Sequence, residues 1–316
     1  MAGKRAKKRK NPGRRAALIA ASLLICALAA LFGYGALNAS LLRLRRAKVT
    51  MEDLPHAFDG FKILYLSDID MCGWNTPEKA SDAVNRLQSL QPDLLILGGD
   101  YNSTSLFDLL NGATDEARAI TQVADRTSFF QYISNFSAPY GKYALASSDD
   151  LTLPGLADDL AGAGFQPLNG MVAQIVKDGQ RLLLAGIGED ENPSASLNGS
   201  NGIPIHKGDC LIGATVSPRS FPGMMTIEAQ DGGRLFDLAL AGHTHGGQIR
   251  LLGRNVLSLT SQEQQYLSGW TRETGVPMLT TSGLGCEAAN LRIGSQPEAW
   301  LITLVEKQVI ELPDLS

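Results

Sequence analysis

The sequence predicts an α/β protein built from two packed mixed β-sheets flanked by helices and preceded by one transmembrane helix. Three observations support this fold class. Strand-like and helical segments alternate from residue 61 to residue 164, which is typical of sheets covered by helices. Strand-like segments then dominate up to residue 305. Residues 16–37 form an uncharged apolar stretch, which is long enough to cross a bilayer.

The first half of the chain carries a local signal for each element. FKILYLS (61–67) and DLLILGG (93–99) are short apolar runs, as expected of strands buried on both faces. The segment 76–90 between them is predicted to be helical, because Thr76 can cap it and Pro77 suits its first turn. Similar signals predict a helix at 115–134, a strand at 142–146 and a helix at 154–164.

The second half is predicted to be mostly β-sheet. Asp178 and Gly179 form a hairpin signal between two apolar runs, VAQIV and RLLLAGIG. Further short strands are predicted at 209–214, 238–242, 277–283 and 299–305.

The N-terminal apolar stretch predicts a membrane anchor. Its twenty-two residues correspond to roughly 33 Å of helix. Eight basic residues precede it and four follow it, which favours a cytoplasmic N-terminus and an extracytoplasmic domain at the cell membrane. A cleaved signal peptide is the alternative, but its apolar core is usually shorter. The predicted regions are a basic cytoplasmic tail (1–15), the single-pass anchor (16–37), a juxtamembrane linker (38–57) and one domain (58–312).

The charge is distributed unevenly along the chain. Twelve of the 28 basic residues and none of the 32 acidic ones lie within residues 1–50. The remainder therefore carries 16 basic residues against 32 acidic ones. A domain this acidic lacks the basic surface that binds a phosphate backbone. We therefore expect no nucleic acid as a partner. The apolar stretch at 16–37 instead makes the lipid bilayer an expected partner.

Acidic and histidine side chains follow several predicted strands at the point where each strand ends. Ligands of α/β sheets bind at the carboxyl ends of strands, and carboxylates with imidazoles suit a divalent metal. An aspartate in this place is also common as a helix cap, so the G-H-x-H-G-G stretch is the most specific part of the pattern. The candidate residues are Asp68, Asp70, Asp100, Asp149, Asp150, His243 and His245.

These segments resemble the calcineurin-like metallophosphoesterases, in particular their membrane-anchored bacterial members, over about residues 58–312. FDGFKILYLSDID is similar to the family's first strand and D-x-H loop, and QPDLLILGGD to its G-D motif. YGKYALASSDD is similar to the G-N-H-D segment, and DLALAGHTHGGQIRL to the closing G-H-x-H. The resemblance implies a metallophosphoesterase-type sandwich that hydrolyses phosphoesters with two metal ions.

The resemblance also implies a role for each matching residue. The first metal site would use Asp68, Asp70 in place of a histidine, Asp100 and His245. The second site would share Asp100 and add His243. Three family positions hold unsuitable residues, since Ser148 stands at the metal-binding asparagine, Asp149 at the catalytic histidine and Val216 at a further metal-binding histidine.

These substitutions have unequal consequences. The first site keeps four ligands, and its three carboxylates favour Mn²⁺ or Mg²⁺ over Fe or Zn²⁺. The second site keeps only Asp100 and His243, so we expect it to be lost. His206 cannot replace the missing ligand, because it precedes the strand at 209–214 whereas Val216 follows that strand.

Two functions therefore stay open at the level of sequence. One is a metal-dependent phosphohydrolase with an altered or single-metal site, which would act on a phosphate ester or a lipid-linked phosphate. The other is a catalytically inactive pseudo-phosphoesterase that serves as a binding or scaffold module.

Overall fold

The structure is a computed structural model that describes residues 12–189, 193–198, 203–229, 231–256, 259–273 and 275–307. Its strands are β1 (Arg43–Met51), β2 (Lys62–Leu66), β3 (Leu94–Leu97), β4 (Lys142–Ala144), β5 (Gln166–Pro167), β6 (Val172–Lys177), β7 (Gln180–Ile187), β8 (Leu211–Thr215), β9 (Leu238–Ala241), β10 (Arg250–Leu251), β11 (Arg254–Asn255), β12 (Gly269–Glu273), β13 (Val276–Thr280) and β14 (Glu298–Glu306). Its helices are α1 (Pro12–Ala39), α2 (Pro77–Arg86), α3 (Leu106–Leu110), α4 (Asp115–Tyr132), α5 (Ser148–Thr152), α6 (Leu156–Gly162), α7 (Pro193–Asn198), α8 (Phe221–Met224) and α9 (Ser261–Gln265).

The strands form two six-stranded mixed sheets and one small hairpin. The first sheet has the order β1-β14-β2-β3-β4-β5, and the second has the order β12-β13-β9-β8-β7-β6. Strands β10 and β11 pair only with each other. The two mixed sheets and their flanking helices confirm the predicted fold class.

The core consists of three layers of buried side chains. Ile63 and Tyr65 of β2 pack between the two sheets, against residues such as Leu240 of β9. Leu64 and Leu66 of the same strand point the other way, into the layer shared with α2, α4 and α6. This alternation explains why β2 is an uninterrupted apolar run, since both of its faces are covered. A third layer covers the outer face of the second sheet.

The segment that the sequence analysis assigns to a linker, residues 38–57, contains a strand. β1 pairs in parallel with β14, from Arg43 opposite Glu298 to Met51 opposite Glu306. It is an edge strand, and edge strands commonly carry charged side chains that prevent further pairing. The sequence did not predict this strand, because its four basic residues are equally typical of a linker. The folded part begins earlier than predicted.

The described residues contain one helix that is long and apolar enough to cross a membrane, Gly13–Ala39. Its last turn is attached to the folded domain. The Asn38 side-chain amide donates to the backbone oxygen of Ser295 at 2.7 Å and to that of Arg292 at 3.1 Å. The Arg292 amide donates to the Gly35 oxygen. Residues 1–11 of the predicted tail and 308–312 of the predicted domain lie outside the described residues.

A buried ion pair joins the helical layer. The Arg126 side chain of α4 is fully buried and lies 2.8 Å from an Asp159 oxygen of α6. Arg126→Ala would leave a buried carboxylate without a partner, which costs about 3–5 kcal/mol of unfolding free energy. Urea unfolding should show this loss. The control Arg118→Ala breaks a pair with the exposed Asp115 and should cost under about 1 kcal/mol. Equal losses for both variants would contradict the prediction.

Candidate metal centre

The five sequence-predicted metal ligands lie together at one edge of the two sheets. Asp68 and Asp70 follow β2, Asp100 follows β3, and His243 and His245 follow β9. The His243 amide donates to Asp68 Oδ1 at 2.6 Å, and its Nδ1 lies 3.3 Å from Asp100 Oδ2. His245 Nε2 lies 3.5 Å from Asp70 Oδ2. A cleft of about 720 Å³ opens above them, lined by Asp70, Asp100 and both histidines.

All five residues have a left-handed backbone. Their φ angles are 52° for Asp68, 44° for Asp70, 55° for Asp100, 72° for His243 and 51° for His245. Ten non-glycine residues of the described chain have a positive φ, so half of them are these predicted ligands. This conformation is unfavourable for residues with a side chain and concentrates at functional sites. Half of the left-handed non-glycine residues in the described part of the chain are thus the ligands predicted from the sequence motifs.

Two glycines allow these loops to approach each other. A Cβ at Gly242 would lie 2.1 Å from Ser67 Oγ and 2.6 Å from Asp68 Oδ2. Gly283 lies in the loop after β13. A Cβ at this position would lie 2.5 Å from Asp68 Cβ. Only glycine fits at these positions, which explains the glycine before His243.

The first group of ligands consists of Asp68, Asp70, Asp100 and His245, the residues of the predicted first metal site. Burial sets the charge state of Asp68, Asp70 and His245. It raises the pKa of Asp68 to about 8, and the negative charge of Asp100 adds to that shift. Burial, followed by the charges of Asp68 and Asp100, raises the pKa of Asp70 well above its usual range. Burial also lowers the pKa of His245 to about 3, with a further contribution from Arg292. Without a cation, Asp68, Asp70 and His245 therefore favour their uncharged forms near neutral pH.

The pKa of His243 is shifted in the opposite direction from that of His245. Its hydrogen bond to Asp100 raises its pKa to about 9, against the effect of its own burial. Burial alone would raise the pKa of Asp100, but the hydrogen bond and charge of His243 outweigh burial and lower it. The second ring nitrogen, Nε2, lies 3.5 Å from Glu263 Oε1. His243 is therefore held between two carboxylates.

Three buried atoms in the first group lack a hydrogen-bond partner within the described part of the chain. They are Asp68 Oδ2, Asp70 Oδ2 and His245 Nδ1. An unpaired buried polar atom is costly, and each of these is a metal-ligating atom. The residues present therefore fit a divalent cation.

Glu189, which was not among the predicted ligands, joins Asp100 and His243 in a second group of candidate ligands. Ligand atoms of Asp100, Glu189 and His243 all lie within 4.8 Å of one another. The expectation that only Asp100 and His243 remain there is therefore wrong. Glu189 reaches Asp100 and His243 because β7 ends at Ile187, at the same edge as the other strands. Its signal was a carboxylate after an apolar run, in RLLLAGIGE, the same pattern that identified Asp100.

One of the substituted family positions, Ser148, contacts Glu189. The Ser148 amide donates to Glu189 Oε2 at 3.1 Å, and the Ser148 hydroxyl contacts the same oxygen. Val216 is fully buried, and its Cγ2 lies 3.3 Å from the place of a Cβ on Gly99. A carboxylate thus stands beside the serine that replaces the family's asparagine.

The remaining predicted residues lie farther from the centre or serve another role. Asp149 is exposed at the rim of the cleft. Asp150 is buried and accepts hydrogen bonds from the amides of Asp100 and Tyr101, so it supports the Asp100 loop. His206 is exposed before β8, at the opposite end of that strand from Val216, as expected.

Substitution of Gly283 should disrupt the centre selectively. Gly283→Ala places a methyl group against Asp68 in a left-handed residue, so metal content measured by mass spectrometry should fall. Unfolding free energy should fall by about 2–4 kcal/mol. Gly232→Ala is the matched control, since its φ is +83° and nothing lies within 4 Å. It should cost about 1 kcal/mol and keep the metal. Metal loss in the control alone would refute this reading.

Known proteins similar to this chain were found by sequence and by structure, although no family model matches it. Phosphodiesterase YaeI of Escherichia coli is 25% identical over 78% of this chain and 82% of its own length. The uncharacterized metallophosphoesterase YkuE of Bacillus subtilis is 24% identical over 79% of this chain and 81% of its own length. An uncharacterized metallophosphoesterase of Aquifex aeolicus is 23% identical over 89% of this chain and 98% of its own length.

A crystal structure of a dimetal phosphatase from Danio rerio shares 10% identity with this chain at a TM-score of 0.39, covering 72% of this chain and 88% of that one. The three sequence relatives span most of this chain and most of their own length. Together with the order of the motifs, the similarity to proteins named phosphodiesterase and metallophosphoesterase supports a calcineurin-like metallophosphoesterase family for this chain.

Proposed function

We propose that this chain is a membrane-anchored, metal-dependent phosphoester hydrolase with its domain on the extracytoplasmic side. The observation that carries the proposal is the set of five predicted ligands, all with a left-handed backbone and four of them lining one cleft. A fold maintains such strain when the geometry it produces is used. The relatives named phosphodiesterase and metallophosphoesterase support the same reaction class.

Two groups of residues would hold the metal ions. Asp68, Asp70, Asp100 and His245 fit one divalent cation, for which the oxygen-rich set favours Mn²⁺ or Mg²⁺. Asp100, Glu189 and His243 fit a second. When bound, such cations polarise phosphoryl oxygens and lower the pKa of water.

The protein's own residues shape the rest of the cleft. The Arg118 side chain lines it and supplies a positive charge suited to a phosphate oxygen. Gly242 and Gly283 keep the loops close enough for Asp68 to remain fully buried. Asp149 stands at the rim, where the family's histidine would assist the leaving group.

Two observations support the inactive alternative. Val216 offers no ligand, and exposed Asp149 brings a carboxylate toward the place of an anionic substrate. A pseudo-phosphoesterase would bind metal and hydrolyse nothing, so hydrolysis of a simple substrate separates the two functions.

Glu189→Gln tests the second group of ligands. The unaltered chain should bind two Mn²⁺ per molecule by mass spectrometry, and the variant should bind one, because an amide is a weaker ligand than a carboxylate. Hydrolysis of an aryl phosphate diester should fall by at least about a hundredfold. Glu287→Gln is the control, since Glu287 lines the same cleft but does not belong to that group. If the unaltered chain loads with metal and hydrolyses neither an aryl phosphate ester nor a lipid-linked phosphate, the inactive alternative is correct.

The proposed topology has its own test. The basic residues before the anchor outnumber those directly after it, which supports a domain outside the cytoplasm. Protease added to cells with a permeabilised outer layer should digest residues 51–316, and the intact chain should fractionate with membranes. A protected domain, or release of a soluble mature form, would count against the anchor.

A further inference from the structure

We infer that an exposed apolar rim around the metal cleft docks on the same bilayer that holds α1, so that the substrate is a phosphoester of a membrane amphiphile. The inference rests on the anchoring proposed above and goes on to name the substrate class. The rim consists of the exposed α3 (Leu106–Leu110), the exposed tip of the β10–β11 hairpin at Leu252, and the half-buried Leu291.

The strand directions place the cleft at the anchored end of the domain. β1 begins at Arg43, four residues after α1 ends, and pairs with the start of β14 at Glu298. β2 runs antiparallel to β14, so its carboxyl end, which carries Asp68, lies at that same end. β3 is parallel to β2. The edge that carries the candidate metal centre is therefore the edge from which the anchor emerges.

One loop connects the anchor to the rest of the rim. The Arg292 amide donates to the Gly35 oxygen near the end of α1, and the Leu106 amide donates to the Ala288 oxygen. The Arg250 amide donates to the Ile293 oxygen. Residues 288–293 thus contact the anchor, α3 and the hairpin at once. The rim is held at a fixed place beside the anchor.

This loop reaches an apolar part of the anchor. Leu291 Cδ1 lies 2.6 Å from the place of a Cβ on Gly35. Leu291 and Ile293 also line an open groove with α1 residues such as Leu28 and Phe32. Twenty residues of helix cross a hydrocarbon core, and Gly35 is the twentieth residue from Ala16. Leu291 therefore lies where the hydrocarbon core meets the headgroups.

Helix α3 exposes four large apolar side chains. The exposed fractions are 48% for Leu106, 70% for Phe107, 50% for Leu109 and 77% for Leu110, and no residue of the helix is buried. A group of neighbouring exposed apolar residues marks a protein or membrane contact. Apolar side chains on a short helix beside an anchor suit insertion at the membrane interface.

The hairpin adds a second apolar point. Leu252 is fully exposed and has a φ of 53°. A leucine in a left-handed turn costs stability where glycine would not. Basic side chains lie nearby, since Arg43 and Arg250 line a cavity of about 570 Å³ together with Tyr34 and Trp300. Arginine and aromatic residues are typical of the headgroup level of a membrane.

The rim is continuous with the cleft. Leu109 of α3 and Ala288 of the connecting loop both line the metal cleft, as does Leu259. An amphiphile whose acyl chains stay in the bilayer would thus pass beside α3 and present its phosphoester to the metal ligands. A soluble phosphoester has no acyl chains that would contact these apolar side chains.

The docking is tested by placing tryptophan at defined sites. The full chain, one molecule per nanodisc, is compared in discs with and without brominated acyl chains, which quench tryptophan inside the bilayer. The added fluorescence of Leu110→Trp should be quenched. Phe32→Trp in α1 is the positive control. Val176→Trp is the negative control, because Val176 is 52% exposed on a strand whose neighbour Lys177 contacts Ala57, at the far end of the domain.

Quenching decides the inference whether or not the chain is active. Quenched Phe32→Trp with unquenched Leu110→Trp overturns the docking and leaves the anchor intact. Unquenched Phe32→Trp overturns the anchor, and the docking with it. Quenching of Val176→Trp as strong as that of Leu110→Trp also overturns the specific rim.

A second measurement concerns the substrate class. In the double variant Phe107→Ser with Leu110→Ser, hydrolysis of a phosphoester amphiphile in vesicles should fall at least about tenfold. Hydrolysis of a soluble aryl phosphate diester should stay unchanged. Equal loss on both substrates contradicts the inferred substrate class, and no hydrolysis of either by the unaltered chain contradicts the proposed function instead.

Discussion

Burying carboxylates side by side is the constraint on which the rest of this structure depends. Asp68 and Asp70 are almost inaccessible to water, Asp100 lies beside them, and each negative charge raises the cost of the next. Burial of like charges without compensation is among the most expensive arrangements in a protein. A divalent cation turns the repulsion into shared coordination. The loops that hold these residues are therefore best explained by the ion that they can bind.

The two sheets must pack correctly for this centre to exist. Asp68 and Asp100 belong to the first sheet, whereas His243 and His245 belong to the second, and the layer of side chains between the sheets sets their separation. The His243 amide hydrogen bond to Asp68 crosses from one sheet to the other. The packing of the core therefore sets the ligand geometry, because a movement of one sheet relative to the other would separate the two halves of the centre.

Much of this arrangement follows from local sequence. The apolar runs at β2, β3 and β9 were recognisable because both of their faces are covered, and the residues after them were then expected at one edge. Glu189 was not expected, because it lies in none of the motifs named from the sequence and its approach to His243 depends on how β7 lies beside β8. Residue identity at a strand end is local information, whereas the neighbour across a cleft is a tertiary property.

Strand β1 and helix α3 escaped prediction for a related reason. β1 carries charges that suit an edge strand and equally suit a linker, and only its pairing with β14, more than 250 residues away, makes it a strand. The five residues of α3 are too few for a helical period to show. Its apolar character became informative only when the fold placed it beside the anchor.

The anchor also supports the loop that carries His245. Arg292 donates from its side chain to the His245 oxygen at 3.1 Å, and the Ser295 hydroxyl donates to the same oxygen at 2.6 Å. The backbone oxygens of those two residues accept from Asn38, in the last turn of α1. The last turn of α1 is therefore one residue removed from the loop that carries the candidate ligand His245. In this chain α1 is part of the scaffold of the candidate site, and it leads directly into the first sheet through β1.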